Sequence, residues 1–215
     1  MNEGQTAAAA AYPVQFSVAY PDRDLNRLTT AFRVIVAIPI VVVAATLGGD
    51  VGAYAGDQAW TIGAGTGGLL FLAPLLMIVF RQKYPRWWFD WNLELFRFSN
   101  RICVYLTLME DRYPSTDEQQ AVTFDFPYPD AERDLNRWLP LVKWLLAIPH
   151  YILLVFLWIA AIVAVVVAWF AILFTGRYPR GLFDFVLGVL RWTNRVLAYA
   201  FVLVTDRYPP FQLSS

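Results

Sequence analysis

"WLPLVKWLLAIPHYILLVFLWIAAIVAVVVAWFAILF" (138–174) is one apolar run of 37 residues, broken only by Lys143 and His150. As a straight helix it would measure about 55 Å, whereas a bilayer core is crossed by about 20 apolar residues. The run must therefore bend, fold back or lie partly in the interface. Arg133 and Arg137 precede it and Arg177 and Arg180 follow it, so the excess of basic residues at cytoplasmic ends places both of its ends inside. This favours a tight transmembrane hairpin. The competing reading is an interfacial segment up to Pro149 followed by a single crossing over 150–174, because neither Gly nor Pro marks a turn near Phe156 to Ile159.

Composition agrees with a membrane location. The 215 residues are 58% hydrophobic, 17% aromatic and 16% charged, with a mean hydropathy of +0.46, more apolar than soluble domains. Seventeen basic and seventeen acidic residues cancel, so no field of one sign attracts nucleic acid, which is excluded as a partner. All the basic residues except Lys83 and Lys143 are Arg, suited to carboxylates or lipid phosphates. Cys103 is the only cysteine, so no internal disulfide can form. The opening "MNEGQTAAAAAYP" has neither a basic nor an apolar leader region, so a cleaved signal peptide is not expected, and residues 1–11 are read as a flexible tail.

Outward from the apolar run, the chain repeats itself. "DLNR" at 24–27 and 134–137, Arg33 and Lys143, and "IP" at 38–39 and 148–149 all lie 110 positions apart. A second set lies 94 apart, aligning "YPRWWFDWNLELFRFSNRICVY" (84–105) with "YPRGLFDFVLGVLRWTNRVLAY" (178–199). The 16-residue difference is an insertion in the first copy, the Gly-rich loop at 48–68. Each copy begins with an alternating segment, "VQFSVAYP" (14–21) and "VTFDFPYP" (122–129), read as a strand or extended arm that could pair with "VLVTDRYPPF" (202–211). Each ends on "DRYP", at 111–114 and 206–209. The organisation is a tail (1–11), repeat 1 (12–114), a linker (115–121), repeat 2 (122–211) and a second tail (212–215).

In repeat 1, residues 28–47 and 62–80 each approach the length of a crossing, with an acidic loop between them and basic flanks, so that loop is expected outside. A helix with a polar stripe follows each hairpin. Arg86, Asp90, Glu94, Arg97 and Arg101 share one face, and repeat 2 answers with Arg180, Asp184, Gly188, Arg191 and Arg195, with Asn100 and Asn194 beside them. Such a helix lies in the cytoplasmic interface with its stripe toward water, anchored by Trp87, Trp88, Trp91 and Trp192, with Trp138 and Trp144 anchoring the apolar run; alternatively it crosses with its charges paired inside the bundle. Asp24 and Asp134 are read as helix caps, Asn26 and Asn136 as first-turn residues, and Arg27 and Arg137 as headgroup anchors. A sharper possibility pairs these two arginines with Asp90 and Asp184. The fold class is thus an all-α integral membrane protein of two tandem repeats, each a transmembrane hairpin followed by an amphipathic interfacial helix, with short extended arms at the repeat ends.

The second copy resembles a family of prokaryotic membrane proteins catalogued as domain of unknown function 4389, over 122–211, with "FTGRYPRGLFDFVLGVLRW" (174–192) its most specific stretch. The first copy looks like a divergent member. Its "FRQKYPRWWFDWNLELFRF" (80–98) replaces Gly181 and Gly188 by bulk, Trp87 and the stretch at Leu95, which departs from close helix packing. The resemblance implies the plasma membrane of a prokaryote and carries no activity, substrate or catalytic residue.

No catalytic constellation is visible. With one histidine, multi-histidine metal sites are excluded, and neither a phosphate-binding loop nor a cysteine pair occurs. His150 could serve as an axial ligand to a tetrapyrrole, although such a residue more often satisfies a neighbouring polar group. Asp90, Asp184, Arg97 and Arg191 could alternatively line an ion path. The expected role is a non-catalytic accessory or scaffold subunit of a larger membrane complex, with bound lipid, other integral membrane subunits as partners, no resident cofactor, several crossings and both termini cytoplasmic. The alternatives are a small transporter, channel or lipid-handling protein built on a pseudo-twofold repeat, and a cofactor-carrying subunit using His150.

Overall fold

The computed structural model describes residues 12–48, 69–115 and 120–214. The N-terminal tail, the Gly-rich loop from Gly49, positions 116–119 of the linker and Ser215 lie outside the described residues. The described chain is mostly helical with one two-stranded sheet. In order it forms β1 (Gln15–Val18), α1 (Arg27–Ala31), α2 (Arg33–Gly48), α3 (Leu69–Arg81), α4 (Arg86–Leu106), β2 (Val122–Asp125), α5 (Pro140–Leu146), α6 (Ile148–Thr175) and α7 (Arg180–Leu197), which runs on into a π-turn at Ala198–Val202.

The hairpin expected in 138–174 does not form. Ile148–Thr175 is a single unbroken helix of 28 residues, about 42 Å long. Between His150 and Thr175 there is neither Gly nor Pro to open the backbone, and in apolar surroundings a continuous helix satisfies its own N–H and C=O groups. Pro149 falls in the first turn, where its missing N–H costs nothing. The break falls just before it, at Ala147, separating the short α5 from α6. The helix stops at Gly176, whose φ of 77° suits a residue without a Cβ and whose N–H reaches back to the Ile172 carbonyl.

One side of α6 is buried through Leu154, Ala161, Ala164, Ala168 and Ile172. The three alanines allow α7 to pack closely and antiparallel against it, with Leu154 beside Trp192 and Val196 at one end. In the first half α2 packs on α4 in the same way, through Ala37 and Ile40 against Phe98, Ile102 and Tyr105.

The extended arms form the third layer, and they are exchanged. β1 pairs antiparallel with β2, Phe16 opposite Phe124, rather than with the segment around 202–211. Arg97 of α4 donates to the Phe124 carbonyl at 3.0 Å, and Arg191 of α7 donates to the Phe16 carbonyl at 2.9 Å. Tyr20 of the first arm donates to the Tyr178 carbonyl at 2.6 Å, while Tyr128 of the second donates to that of Tyr84. Arg180 stands over the Tyr20 ring and Arg86 over the Tyr128 ring, each at 4.8 Å. Each half's arm therefore lies on the other half's amphipathic helix. Beneath the ribbon, Asn100 and Asn194 exchange amide hydrogen bonds of 3.0 and 2.7 Å in a buried contact, beside stacked Phe96 and Phe124.

The polar stripe is thus split. Its outer members Arg86, Asp90 and Glu94 remain exposed and Arg97 is half-buried, with Arg86 paired to Asp90 at 3.3 Å and Arg97 to Glu94 at 2.6 Å. Its inner members, Arg101 and Arg195, are buried, donating to the carbonyls of Ser115 and of Gln212 and Ser214. Gly181 has open space around it, and Gly188 is needed for a peptide segment rather than a helix: a Cβ there would lie 2.8 Å from Leu213 Cβ and 3.1 Å from the Leu213 carbonyl oxygen.

The asparagine pair should behave as a unit. Asn100→Ala strands the buried Asn194 amide and is expected to cost about 1–3 kcal/mol, whereas Asn100→Leu with Asn194→Leu should cost less than the two single changes added together. Thermal unfolding of the wild type, Asn100→Ala, the two single leucine variants and the double variant in one detergent measures this, and strict additivity of the leucine changes would count against the contact.

Candidate functional site

Of the four buried cations among the described residues, Arg33, Lys143, Arg101 and Arg195, the first two are paired with carboxylates. Arg33 opens α2 and is 2% exposed. Its guanidinium lies 2.6 Å from Asp111 Oδ1, donates to the carbonyls of Tyr105 (2.9 Å) and Glu110, and stands 4.3 Å above the Tyr105 ring. The second Asp111 oxygen accepts the Asn26 N–H at 2.8 Å. In the second half Lys143 of α5, wholly buried, places Nζ 2.7 Å from Asp206 Oδ1 and 2.7 Å from the Thr205 carbonyl, 5.2 Å above the Tyr199 ring. Asp206 Oδ2 accepts the Asn136 N–H at 2.6 Å. Burial pulls the Lys143 ammonium below the usual lysine range, and its contacts with Asp206 oppose that pull.

These clasps answer why "DLNR" and "DRYP" recur. The Asp of each "DRYP" receives one backbone N–H from "DLNR" and the cation one helical turn or two further on. Getting there takes an unusual backbone. Leu108 and Leu203 both adopt positive φ, 66° and 62°, where a side chain is strained. From Tyr199 to Asp206 there is one residue more than from Tyr105 to Asp111, and the π-turn Ala198–Val202 takes up the extra residue.

The caps differ from expectation. Asn26, not Asp24, caps α1, its Oδ1 accepting the N–H groups of Leu28 and Thr29. Asn136 Oδ1 likewise accepts the Trp138 N–H. Asp24 instead takes a hydrogen bond from Arg177 at 3.0 Å, and Asp134 takes the Asp130 N–H. Nor does Arg137 reach Asp184, since it donates to the carbonyls of Val79 and Phe80 at the end of α3. Arg27 lies beside Gly176, and Asp90 is held by its helical neighbour Arg86. Asp184 is exposed, so the four residues considered for an ion path do not converge.

His150 is fully buried. Its Nδ1 accepts from Trp192 Nε1–H at 2.9 Å, and the ring stacks on Phe211 at 4.0 Å with Tyr208 at 4.8 Å. An indole N–H can only donate, so the neutral imidazole carries its proton on Nε2. That nitrogen then has no lone pair for a metal, and the stacked Phe211 covers the ring face. Nε2 itself finds no hydrogen-bond partner among the described residues. Trp192 is therefore a buried partner of His150 rather than an interfacial anchor, while Trp87, Trp91, Trp138 and Trp144 are exposed as anchors require and Trp88 is half-buried.

Among the described residues no group of three or more His, Cys, Asp or Glu side chains is placed to hold a metal. An open cleft of about 610 Å³ is lined by Arg81, Lys83, Tyr84, Tyr128, Asp130 and Asp134 among others.

Against known families, a match falls in the second half. Residues 138–212 match DUF4389, a domain of unknown function. The DUF4389 segment takes in α5, α6, α7 and the π-turn, and with them Lys143, Asp206, His150, Trp192 and Phe211. No curated protein and no solved structure matches the chain.

Sequence reading passed over Arg33, Lys143, Asp111, Asp206 and Phe211 as site residues. The signal was there, because a cation recurs 110 positions on inside an apolar run, and a buried charge requires a partner. The clasp makes a stability test. Asp206→Ala leaves Lys143 buried without its carboxylate and is expected to cost about 3–5 kcal/mol, while Lys143→Met combined with Asp206→Asn should recover most of the loss. Denaturation in detergent reads both, and equal losses for the single and double variants would contradict the pairing.

Proposed function

We propose that the chain is an internally duplicated, non-catalytic accessory subunit of a larger complex in a prokaryotic plasma membrane. The observation that carries this reading is that the groups best suited to chemistry are already committed to structure. Arg33 and Lys143 are taken by Asp111 and Asp206. His150 is held by Trp192. Arg97 and Arg191 hold strand carbonyls. The outer surface of α2 and α6, by contrast, is broad and apolar, with Val34, Ile35, Val42, Phe156, Val163 and Phe170 all exposed. Such a subunit contributes surface, to lipid and to neighbouring membrane proteins, rather than a reaction.

The matched pairs support an origin by tandem duplication, with Asn26 and Asn136, Arg33 and Lys143, Asp111 and Asp206, and Leu108 and Leu203 in equivalent roles. A transporter built on the same pseudo-twofold plan would want a polar cavity between its halves. Between α4 and α7 the described residues place the Asn100–Asn194 pair beside a cluster of phenylalanines, and the polar cleft that residues 81–85 share with 128–134 is open rather than enclosed, which favours the accessory role.

Purification from the native membrane in mild detergent through a C-terminal tag tests the proposal. Larger membrane polypeptides in fixed stoichiometry are expected to co-purify, with no visible absorption assignable to His150. A protein that emerges alone and monodisperse would count against the accessory role, and a Soret band abolished by His150→Ala would point to the cofactor reading.

A further inference from the structure

Three observations together set the direction of the apolar layer relative to a membrane. First, α6 is unbroken over 28 residues, about 42 Å, and its exposed face is apolar from end to end, Ile152, Phe156, Ile159, Val163, Val167 and Phe174 among others. Second, the exchanged first arm runs beside α7 over the same length. Tyr12 is fixed near the start of α6, donating to the Arg207 carbonyl and lying 5.9 Å from the Arg195 guanidinium. Leu25 is fixed at its end, its N–H donating to the Gly176 carbonyl at 2.7 Å. The polar layer is therefore coextensive with the helix. Its middle is the ribbon and the stripe beside it, where Asp125 and Glu94 side chains are 62% and 59% exposed.

An upright α6 would carry that ribbon to the bilayer centre. Each charged side chain there costs about 2.5–3.5 kcal/mol or more, and the strand edges would lack water. Third, exposed basic residues stand at both ends of the apolar layer: Arg27 and Arg177 at one, Arg81, Lys83, Arg133 and Arg137 at the other. Basic residues gather on the cytoplasmic side, and with no hairpin in α6 to bring its ends together, a common side requires the helix to lie flat.

We infer that the face formed by α2, α3, α5 and α6 docks on one leaflet of an anionic phospholipid bilayer, with α6 lying in the membrane plane and the ribbon layer toward the cytoplasm. The basic rim then meets lipid phosphates at both ends at once, and exposed Trp138 and Trp144 reach headgroup depth. The arrangement replaces several crossings by a single-leaflet attachment, and it holds whether or not the chain serves a larger complex.

The test uses the full chain with Cys103→Ala, purified and reconstituted into phosphatidylcholine–phosphatidylglycerol vesicles. Nitroxide labels are placed singly at Phe156→Cys, Val163→Cys and Phe170→Cys. A helix in the plane gives all three high oxygen accessibility and the same depth. An upright helix puts Val163→Cys deepest, with the others about 10 Å shallower, and overturns the inference. Low oxygen accessibility at all three means the face is covered by protein, which also overturns it. In cells, Asp22→Cys and Glu132→Cys, beyond opposite ends of α6, are labelled with an impermeant maleimide in inverted and right-side-out vesicles. The inference requires both to react in one and the same vesicle type, inverted by the charge distribution; any other pattern contradicts it. Neither readout depends on a partner subunit, so the attachment and the accessory role can fail separately.

Discussion

An arginine of each half holds a strand carbonyl of the other, and the rest of the structure follows from that exchange. Arg97 reaches Phe124 and Arg191 reaches Phe16. The two strands can pair only when both arms have crossed over, and the ribbon they make closes the polar side of α4 and α7. With the polar side closed, those helices bury Asn100, Arg101, Asn194 and Arg195, the two asparagines bonding each other and the two arginines donating to carbonyls of the covering segments. Their other faces are then free to hold α2 and α6.

The apolar side follows a different constraint. An apolar outer surface offers no partner to backbone N–H and C=O groups, so each must be satisfied within the helix, which α6 does by running unbroken. The cations that enter this layer, Arg33 and Lys143, carry their carboxylates with them from the end of the neighbouring helix. A buried ion pair contributes little net stability because desolvation offsets its attraction. Its value here is positional, since the aspartate also takes the Asn26 or Asn136 N–H and so ties three segments at one point. The strained Leu108 and Leu203 lie in the turns that deliver those aspartates.

How much of this was legible in the sequence depended on how local the physics was. The alternation in 14–21 and 122–129 identified extended arms, but their pairing joins residues more than a hundred positions apart and leaves no local mark, so the partner was misassigned. The stripe from Arg86 to Arg101 was read from its spacing, whereas the burial of its inner end depends on the segments that cover it. Length and charge could not separate a hairpin from one long helix in 138–174; the missing Gly and Pro were the better guide. Asp24 looked like a cap because aspartate suits that position, yet Asn26 stands two residues closer to the first helical turn. The family match to 138–212 coincides with the half whose helix is continuous.

The exchanged ribbon is best tested by joining it covalently. In a Cys103→Ala chain, Ser17→Cys and Thr123→Cys occupy paired positions of β1 and β2, and mild oxidation in native membranes should link them within one chain, giving a faster-migrating monomer on a non-reducing gel that reverts on reduction. Failure to link, or linkage into dimers because the arms pair between chains, would contradict the account.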